Sequence, residues 1–220
     1  MRFGSVDTFI EPGDWGFRIG RPVANESFLK ALLTYGTYDQ YEFFCPDLFH
    51  MEGFSERIRE LLDDSELISR VKPSLQIALA ESMVSERHDI FHLGDFTYFM
   101  PYLIAMRNQY DCRPFPITGI THSLDSVHMN LRFMELITAG LTSFDGIICT
   151  SMCAEKMIKK GLAHTADLLN KNIGFCNIPD IKLKQIPLGI DDSFFMDIDK
   201  AEARKHLNIP QNMVVALSVG

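Results

Sequence analysis

Cysteine is scarce in this sequence and does not pair. The chain carries five, an odd number, at Cys45, Cys112, Cys149, Cys153 and Cys176, and their spacing suggests no disulfide framework. Reduced thiols are expected. Cys149 and Cys153 lie closest together, and the second pair that a structural zinc site needs is missing. Long hydrophobic runs are absent as well. The longest, Tyr98 to Met106, holds a proline and is too short to span a bilayer. The opening Met1-Arg2-Phe3-Gly4-Ser5-Val6-Asp7 has no apolar core of secretory-signal length. A cytoplasmic location is therefore expected, with contact at a membrane surface left open. Basic charge is in deficit: 21 Lys and Arg against 29 Asp and Glu give a net −8. That balance argues against a nucleic-acid partner, whose phosphates must be neutralised. There is no G-x-S-x-G elbow, so a serine-hydrolase triad is excluded. No grouping of residues offers a metal cage, and no bound cofactor is expected.

What is present describes a folded domain. The 220 residues are 46% apolar, enough to bury a core without staples. Short apolar stretches alternate with helical patterns. Strands are expected at Arg2 to Phe9, Tyr41 to Cys45, Asp89 to Leu93, Phe115 to Thr121, Asp145 to Cys149, Lys182 to Pro187 and Met213 to Val219. Helices are expected from Asn25 as N-cap to Gly36, from Phe96 or Thr97 to about Gln109, and from Val127 to Ala139. Further ones run from the Ser151 cap to Lys160, closed by Gly161, and from Asp199 to Leu207. The stretch from Asp47 to Arg87 reads as mixed and helical. This alternation predicts an α/β fold, a Rossmann-like parallel sheet with helices on both faces. In such sheets ligands sit at the carboxyl ends of the strands, beside the point where strand order reverses.

That rule selects four loops. The first, between Glu11 and Ala24, carries Gly13, Gly16 and Gly20 in the spacing G-x-x-G-x-x-x-G, with Arg18 and Arg21 beside them. Glycines before a helix let backbone N–H groups approach a phosphate. The spacing is neither the dinucleotide fingerprint nor the Walker pattern, and a plain surface loop has the same composition. Trp15, the single tryptophan, suits either stacking on a sugar or packing on the next helix. His122, in T-H-S-L-D, follows an expected strand at the ligand edge, where an imidazole can bond a hydroxyl or meet developing charge. His92 and Asp95, in F-H-L-G-D-F, stand at the equivalent edge of the preceding strand. Asp95 also suits a helix cap, and His92 also suits a packed strand residue.

Four segments carry a resemblance. These are G-I-T-H-S-L at 119–124, D-G-I-I-C-T-S at 145–151, I-P-L-G-I-D-D-S-F-F at 186–195, and A-R-K-H-L-N-I-P-Q-N-M-V-V-A-L-S-V-G at 203–220. In order and spacing they resemble the retaining two-domain (GT-B) glycosyltransferases of the group 1, family 4 type, over about Asp89 to Gly220. The resemblance implies that residues 1–195 are the N-terminal, acceptor-side domain of a GT-B fold. Residues 196–220 would be the linker and the first strand of a C-terminal donor domain, so the chain is expected to be part of a longer protein. It implies transfer of a sugar from a nucleotide-sugar donor to a hydroxyl acceptor, a saccharide or a lipid, without a bound metal. The loop after the first strand would approach the donor diphosphate, assigning substrate binding to Gly13, Gly16, Arg18 and Gly20. His122 would face the transferred sugar, and His92 and Asp95 would line the acceptor cleft. Separated glycines stand where the family has an adjacent pair. Two other expectations fit the same residues: a non-enzymatic glycan- or partner-binding domain, and a nucleotide-sugar epimerase of the same fold. In isolation the chain is expected to transfer little, because the donor half is missing.

Overall fold

In the computed structural model the described residues are 1–10, 20–110, 114–174, 181–189 and 198–216. The chain divides into two compact units, Met1–Gly189 and Ile190–Gly220.

The larger unit is α/β. Seven strands form one sheet: β1 (Arg2–Ser5), β2 (Gln40–Cys45), β3 (Val71–Leu75), β4 (Ile90–Leu93), β5 (Ile117–Ile120), β6 (Gly146–Cys149) and β7 (Lys182–Gln185). Their order across the sheet is β3-β2-β1-β4-β5-β6-β7, and every neighbouring pair is parallel. The Rossmann-like expectation holds. The chain runs outward from β1 to β3 and then crosses to β4 on the far side of β1. The carboxyl ends of β1 and β4 thus flank the point where strand order reverses.

Side-chain alternation along β2 explains how the sheet is covered on both faces. Tyr41, Phe43 and Cys45 join one apolar cluster with Phe3, Leu29, Leu33, Phe54 and Ile58. Phe44 points into the other, with Phe91, Leu93, Leu103, Ile117, Phe133 and Ile158. The first is closed by α1 (Gly20–Tyr35) and α2 (Leu48–Leu61). The second is closed by α4 (Leu79–Ser85), α5 (Met100–Gln109), α6 (Met129–Thr138) and α7 (Met152–Ile173). A short α3 (Ser65–Ser69), capped by the Asp64 carboxylate, leads into β3.

Several boundaries differ from expectation, each for a local reason. The strand β3 falls within the stretch from Asp47 to Arg87 that the sequence pattern predicts to be mixed and helical. Its sequence, V-K-P-S-L, contains a proline, which a sheet accepts at its margin because the missing N–H need not pair outward; β3 is the edge strand. Helix α1 starts at Gly20, not at Asn25, and Pro22 sits harmlessly in its first turn. Helix α7 does not stop at Gly161 but runs on to Gly174, whose φ of +69° closes it. Gly161 serves packing instead: a Cβ there would stand 2.1 Å from the Phe133 ring of α6. A glycine inside a long helix costs about 1 kcal/mol in propensity, and here it lets two helices approach.

The smaller unit holds α8 (Lys200–His206), capped by the Asp199 carboxylate. Arg204 ties the following turn to the helix, donating from Nη1 to the Pro210 carbonyl at 2.6 Å and from Nη2 to that of Met213 at 2.9 Å. Met213–Ala216, expected as the start of a strand, are in no sheet. A strand needs a neighbour to take its N–H and C=O groups, and no other strand occurs among the described residues of that unit. Among the described residues no helix is long and apolar enough to cross a membrane.

Candidate functional site at the strand switch point

The carboxyl ends of β1, β4 and β5 and the first turns of α1 bring five polar side chains together: Asp7, Arg21, Asn25, Asp95 and His122. Strand β1 ends at Ser5 because the next residues bond to each other rather than to a neighbouring strand. The Ser5 hydroxyl donates to the Asp7 carbonyl at 2.8 Å, and the Phe9 N–H donates to Asp7 Oδ1 at 2.8 Å. Phe9 itself takes φ of +59°, the left-handed region that costs a side-chain-bearing residue about 1–2 kcal/mol. The turn holds the partly buried Asp7 carboxyl at the sheet edge. Burial raises its pKa above the ordinary aspartate value; the Phe9 N–H and Arg21 oppose that rise, and Asp95 adds to it.

Asp95 sits in the turn after β4. Its Oδ1 accepts from the Thr97 N–H at 2.7 Å and from the Thr97 hydroxyl, and its Oδ2 lies 3.6 Å from Arg21 Nη1. This turn crosses closely over β5. The Phe96 N–H donates to the Ile120 carbonyl at 3.1 Å, and a Cβ on Gly119 would stand 2.6 Å from Phe96 Cβ. Only a glycine in β5 lets the Asp95 turn settle there, so β5 and the Asp95 turn are set together.

His122 follows β5 directly. Thr121 before it is fully buried and locks the end of β5 to that of β6: Thr121 Oγ1 accepts from the Thr150 N–H at 3.0 Å, and the Thr150 hydroxyl donates to the Thr121 carbonyl at 3.3 Å. The imidazole is half-buried. Its Nε2 lies 3.1 Å from Asn25 Oδ1. Burial lowers its pKa below the ordinary histidine value; the Asp95 carboxylate and the Gly94 carbonyl pull the other way, Arg21 reinforces the lowering, and Asp7 counters it. A ring so placed is biased towards the neutral form, with carboxylates near enough to stabilise a proton on it.

The other expected residues separate. Gly20 is the exposed first residue of α1, with open space where its Cβ would be. Gly13, Gly16 and Arg18, and Trp15 with them, lie outside the described residues. His92 does not line a cleft. It is 4% exposed and stacks on Phe9 at 6.0 Å between ring centroids, with Phe28 at 5.1 Å. Its Nδ1 lies 2.8 Å from Thr118 Oγ1, and Nε2 is buried without a hydrogen-bond partner. Burial pushes its pKa down to about 4. The reason is pleat: along β4, Phe91 and Leu93 point to one core, and His92 points to the opposite face under α1.

Sequence reasoning missed Asp7 and misread Asn25. Asp7 was hidden inside a strand expected to reach Phe9; ending β1 at Ser5 makes it the first charged residue past a ligand edge. Asn25, expected as a helix cap, is buried in the interior of α1. An asparagine there, poor for helix propensity, was the signal.

Two cavities lie elsewhere. One of about 470 Å³ opens between Met1, Arg2, Asp39, Gln40, Arg87 and Asp89. The other, about 290 Å³, lies between the end of α4, His88 and Phe115. Neither touches Asp7, Asn25, Asp95 or His122. Among the described residues no cluster of His, Cys, Asp or Glu is placed to hold a metal ion. No family model, curated protein or solved structure matches this chain.

Proposed function

We propose that this chain is the N-terminal, acceptor-side portion of a glycosyltransferase that moves a sugar from a nucleotide-sugar donor to a hydroxyl acceptor. The observation that carries the reading is the position of His122. The histidine of the T-H-S-L motif stands half-exposed at the carboxyl end of β5, beside the reversal point of a parallel sheet, among Asp7, Arg21, Asn25 and Asp95. Acceptor-rich side chains with one guanidinium suit a polyhydroxyl ligand: carboxylates and an amide oxygen receive sugar hydroxyls, and a cation offsets negative charge on a leaving diphosphate.

In this reading His122 hydrogen-bonds the transferred sugar, and Asp95 binds the acceptor. His92 supports Phe9 and Phe28 from below the edge rather than touching substrate. The loop with Gly13, Gly16, Arg18 and Gly20 approaches the donor diphosphate. Residues 1–195 form the acceptor domain, and 196–220 lead into a donor domain of the same protein, which works in the cytoplasm. Electrostatic stabilisation comes from backbone dipoles and cations rather than a metal.

The test has two arms. The reading frame beyond Gly220 should encode a second α/β domain. The protein containing it should transfer sugar from a nucleotide donor, and His122→Ala should lower its turnover more than tenfold, as loss of a preorganised polar contact does. A stop codon after Gly220 with saccharide binding and no turnover supports a binding module instead. Donor isomerisation without acceptor supports an epimerase.

A further inference from the structure

His88 and Phe115 each stand two residues before a strand, β4 and β5, at the edge of the sheet opposite the switch point. The His88 side chain is sealed against Glu42 of β2, the two being 0% and 1% exposed. Glu42 Oε1 accepts from the Ser74 hydroxyl at 2.7 Å and from Lys72 Nζ at 3.0 Å. Its Oε2 accepts from the Ser82 hydroxyl at 3.2 Å and from His88 Nε2 at 3.1 Å. A carboxylate offers about four lone-pair sites, and four donors occupy them. Lys72 supplies the countercharge, so the imidazole donates from Nε2 without needing a charge of its own. A second proton, on Nδ1, would be a buried donor with no acceptor. Nδ1 therefore keeps its lone pair, and it has no hydrogen-bond partner among the described residues.

The same histidine lines the cavity of about 290 Å³ at the end of α4. That volume suits a small molecule. Two of its walls are held in place. Glu42 fixes the imidazole, and Phe115 is fixed by its carbonyl, which accepts from Arg107 Nη1 at 2.7 Å, and by its ring, 5.2 Å from that of Phe91. Phe115 and Met83, both buried, make the apolar lining. Glu86 in the wall is paired with Arg2, and Arg87 is exposed to solvent. The end of a helix leaves its last carbonyls without intrahelical donors. What the cavity offers is thus an apolar face and acceptors, with little uncompensated charge. We propose that it is a binding site for a small neutral aromatic molecule with one hydrogen-bond donor, of the phenol or indole class, whose O–H or N–H is received by His88 Nδ1 while its ring packs against Phe115 and Met83.

Nothing in this site depends on the transferase reading of His122, and its test needs no activity. Nitrogen-15-labelled histidine in the 220-residue chain reports Nδ1 of His88 directly. The native chain at neutral pH should show it unprotonated. Phenol, added as the probe, should move that resonance saturably at millimolar concentration. Anisole, which keeps the ring but lacks the donor, should bind about fivefold more weakly, the worth of one neutral hydrogen bond. In His88→Phe the two probes should bind alike. In Val84→Trp, where an indole stands at the exposed rim of the cavity, phenol should bind at least fivefold more weakly. A native Nδ1 that carries a proton overturns the proposal, as does a resonance that phenol leaves unmoved. Equal affinity of phenol and anisole for the native chain, or undiminished phenol binding in Val84→Trp, overturns it as well. Should His88→Phe fail to fold, the matched probes on the native chain and the Val84→Trp variant still decide.

Discussion

Two polar clusters in this protein differ in how deeply they are buried. The first is Arg107 from α5 with Asp145 at the start of β6, both sealed, 2% and 0% exposed. Asp145 receives Arg107 Nη1 at 2.7 Å and Nη2 at 2.9 Å, the Ile117 N–H at 2.9 Å, and the N–H and hydroxyl of Thr142. Arg107 Nη1 also donates to the Phe115 carbonyl. A carboxylate offers about four lone-pair sites, and these are filled; no ligand has anything to bind. The second cluster is at the switch point. There Arg21 and Asp95 approach only to 3.6 Å, His122 is half-exposed, and the Asp7 carboxyl is shifted by burial between opposing charges. A saturated buried pair holds a fold together; under the proposed reading the partly exposed cluster at the switch point is where a ligand would be received.

Breaking the first cluster should have the largest effect. Asp145→Ala strands a buried guanidinium and should cost about 3–5 kcal/mol, read as a lowered denaturation midpoint in urea. A loss below 1 kcal/mol would mean that saturation is not what makes this pair structural. Acid comes next. His92 titrates near 4 when folded and near 6.5 when unfolded. Its neutral burial contributes in full above the unfolded value and is lost as pH falls through 6.5 towards 4, a change of about 3 kcal/mol. Glu42 acts in a lower window. Burial alone would raise its pKa, but hydrogen bonds from His88, Ser74 and Lys72 hold it down at about 2, so its contribution is lost only below about 4.5. Thermal melts between pH 7 and 5 should therefore fall in the native chain and flatten in His92→Leu; parallel curves would reject the assignment.

Gly94→Ala sharpens the contrast from the other side. The added Cβ would meet Asp7 Oδ2, Asn25 Nδ2 and Phe9 Cδ1 at 2.7–3.0 Å. Overpacking of this kind costs about 1–3 kcal/mol, and the His122 ring resonances should move with it. Unmoved resonances would show that Asp7 and Asn25 are not coupled to the histidine. The smallest stability change is expected for His122→Ala, within about 1 kcal/mol because the ring is half-exposed, although on the proposed transferase reading activity should fall more than tenfold. A large loss of stability would place His122 with the structural cluster instead.

The strand–helix alternation was legible in the sequence because each strand's apolar run is short and helices such as α6, α7 and α8 are marked by a glycine or a side-chain cap. It failed at β3, whose Lys72, Pro73 and Ser74 show no apolar alternation and so merge into the expected mixed helical stretch; an edge strand half-buried along its length needs little hydrophobicity. It failed again at Gly161, since a glycine that ends a helix and one that admits a neighbouring helix are the same letter. The site was half legible. His122 and Asp95 follow strands that the pattern locates, whereas His92 shares the motif of Asp95 and was assigned with it, because which face of β4 points to the ligand edge is not written in local spacing.

The sequence by itself determined the class of fold, the order of its elements outside the stretch from Asp47 to Arg87, and the loop that carries His122, because periodicity and turn chemistry act over a few residues. Only the tertiary structure decided that Asp7, Asn25 and His122 meet. His122 lies 97 residues beyond Asn25, and what joins them is a crossover in strand order that brings β1 beside β4, with β5 next to it.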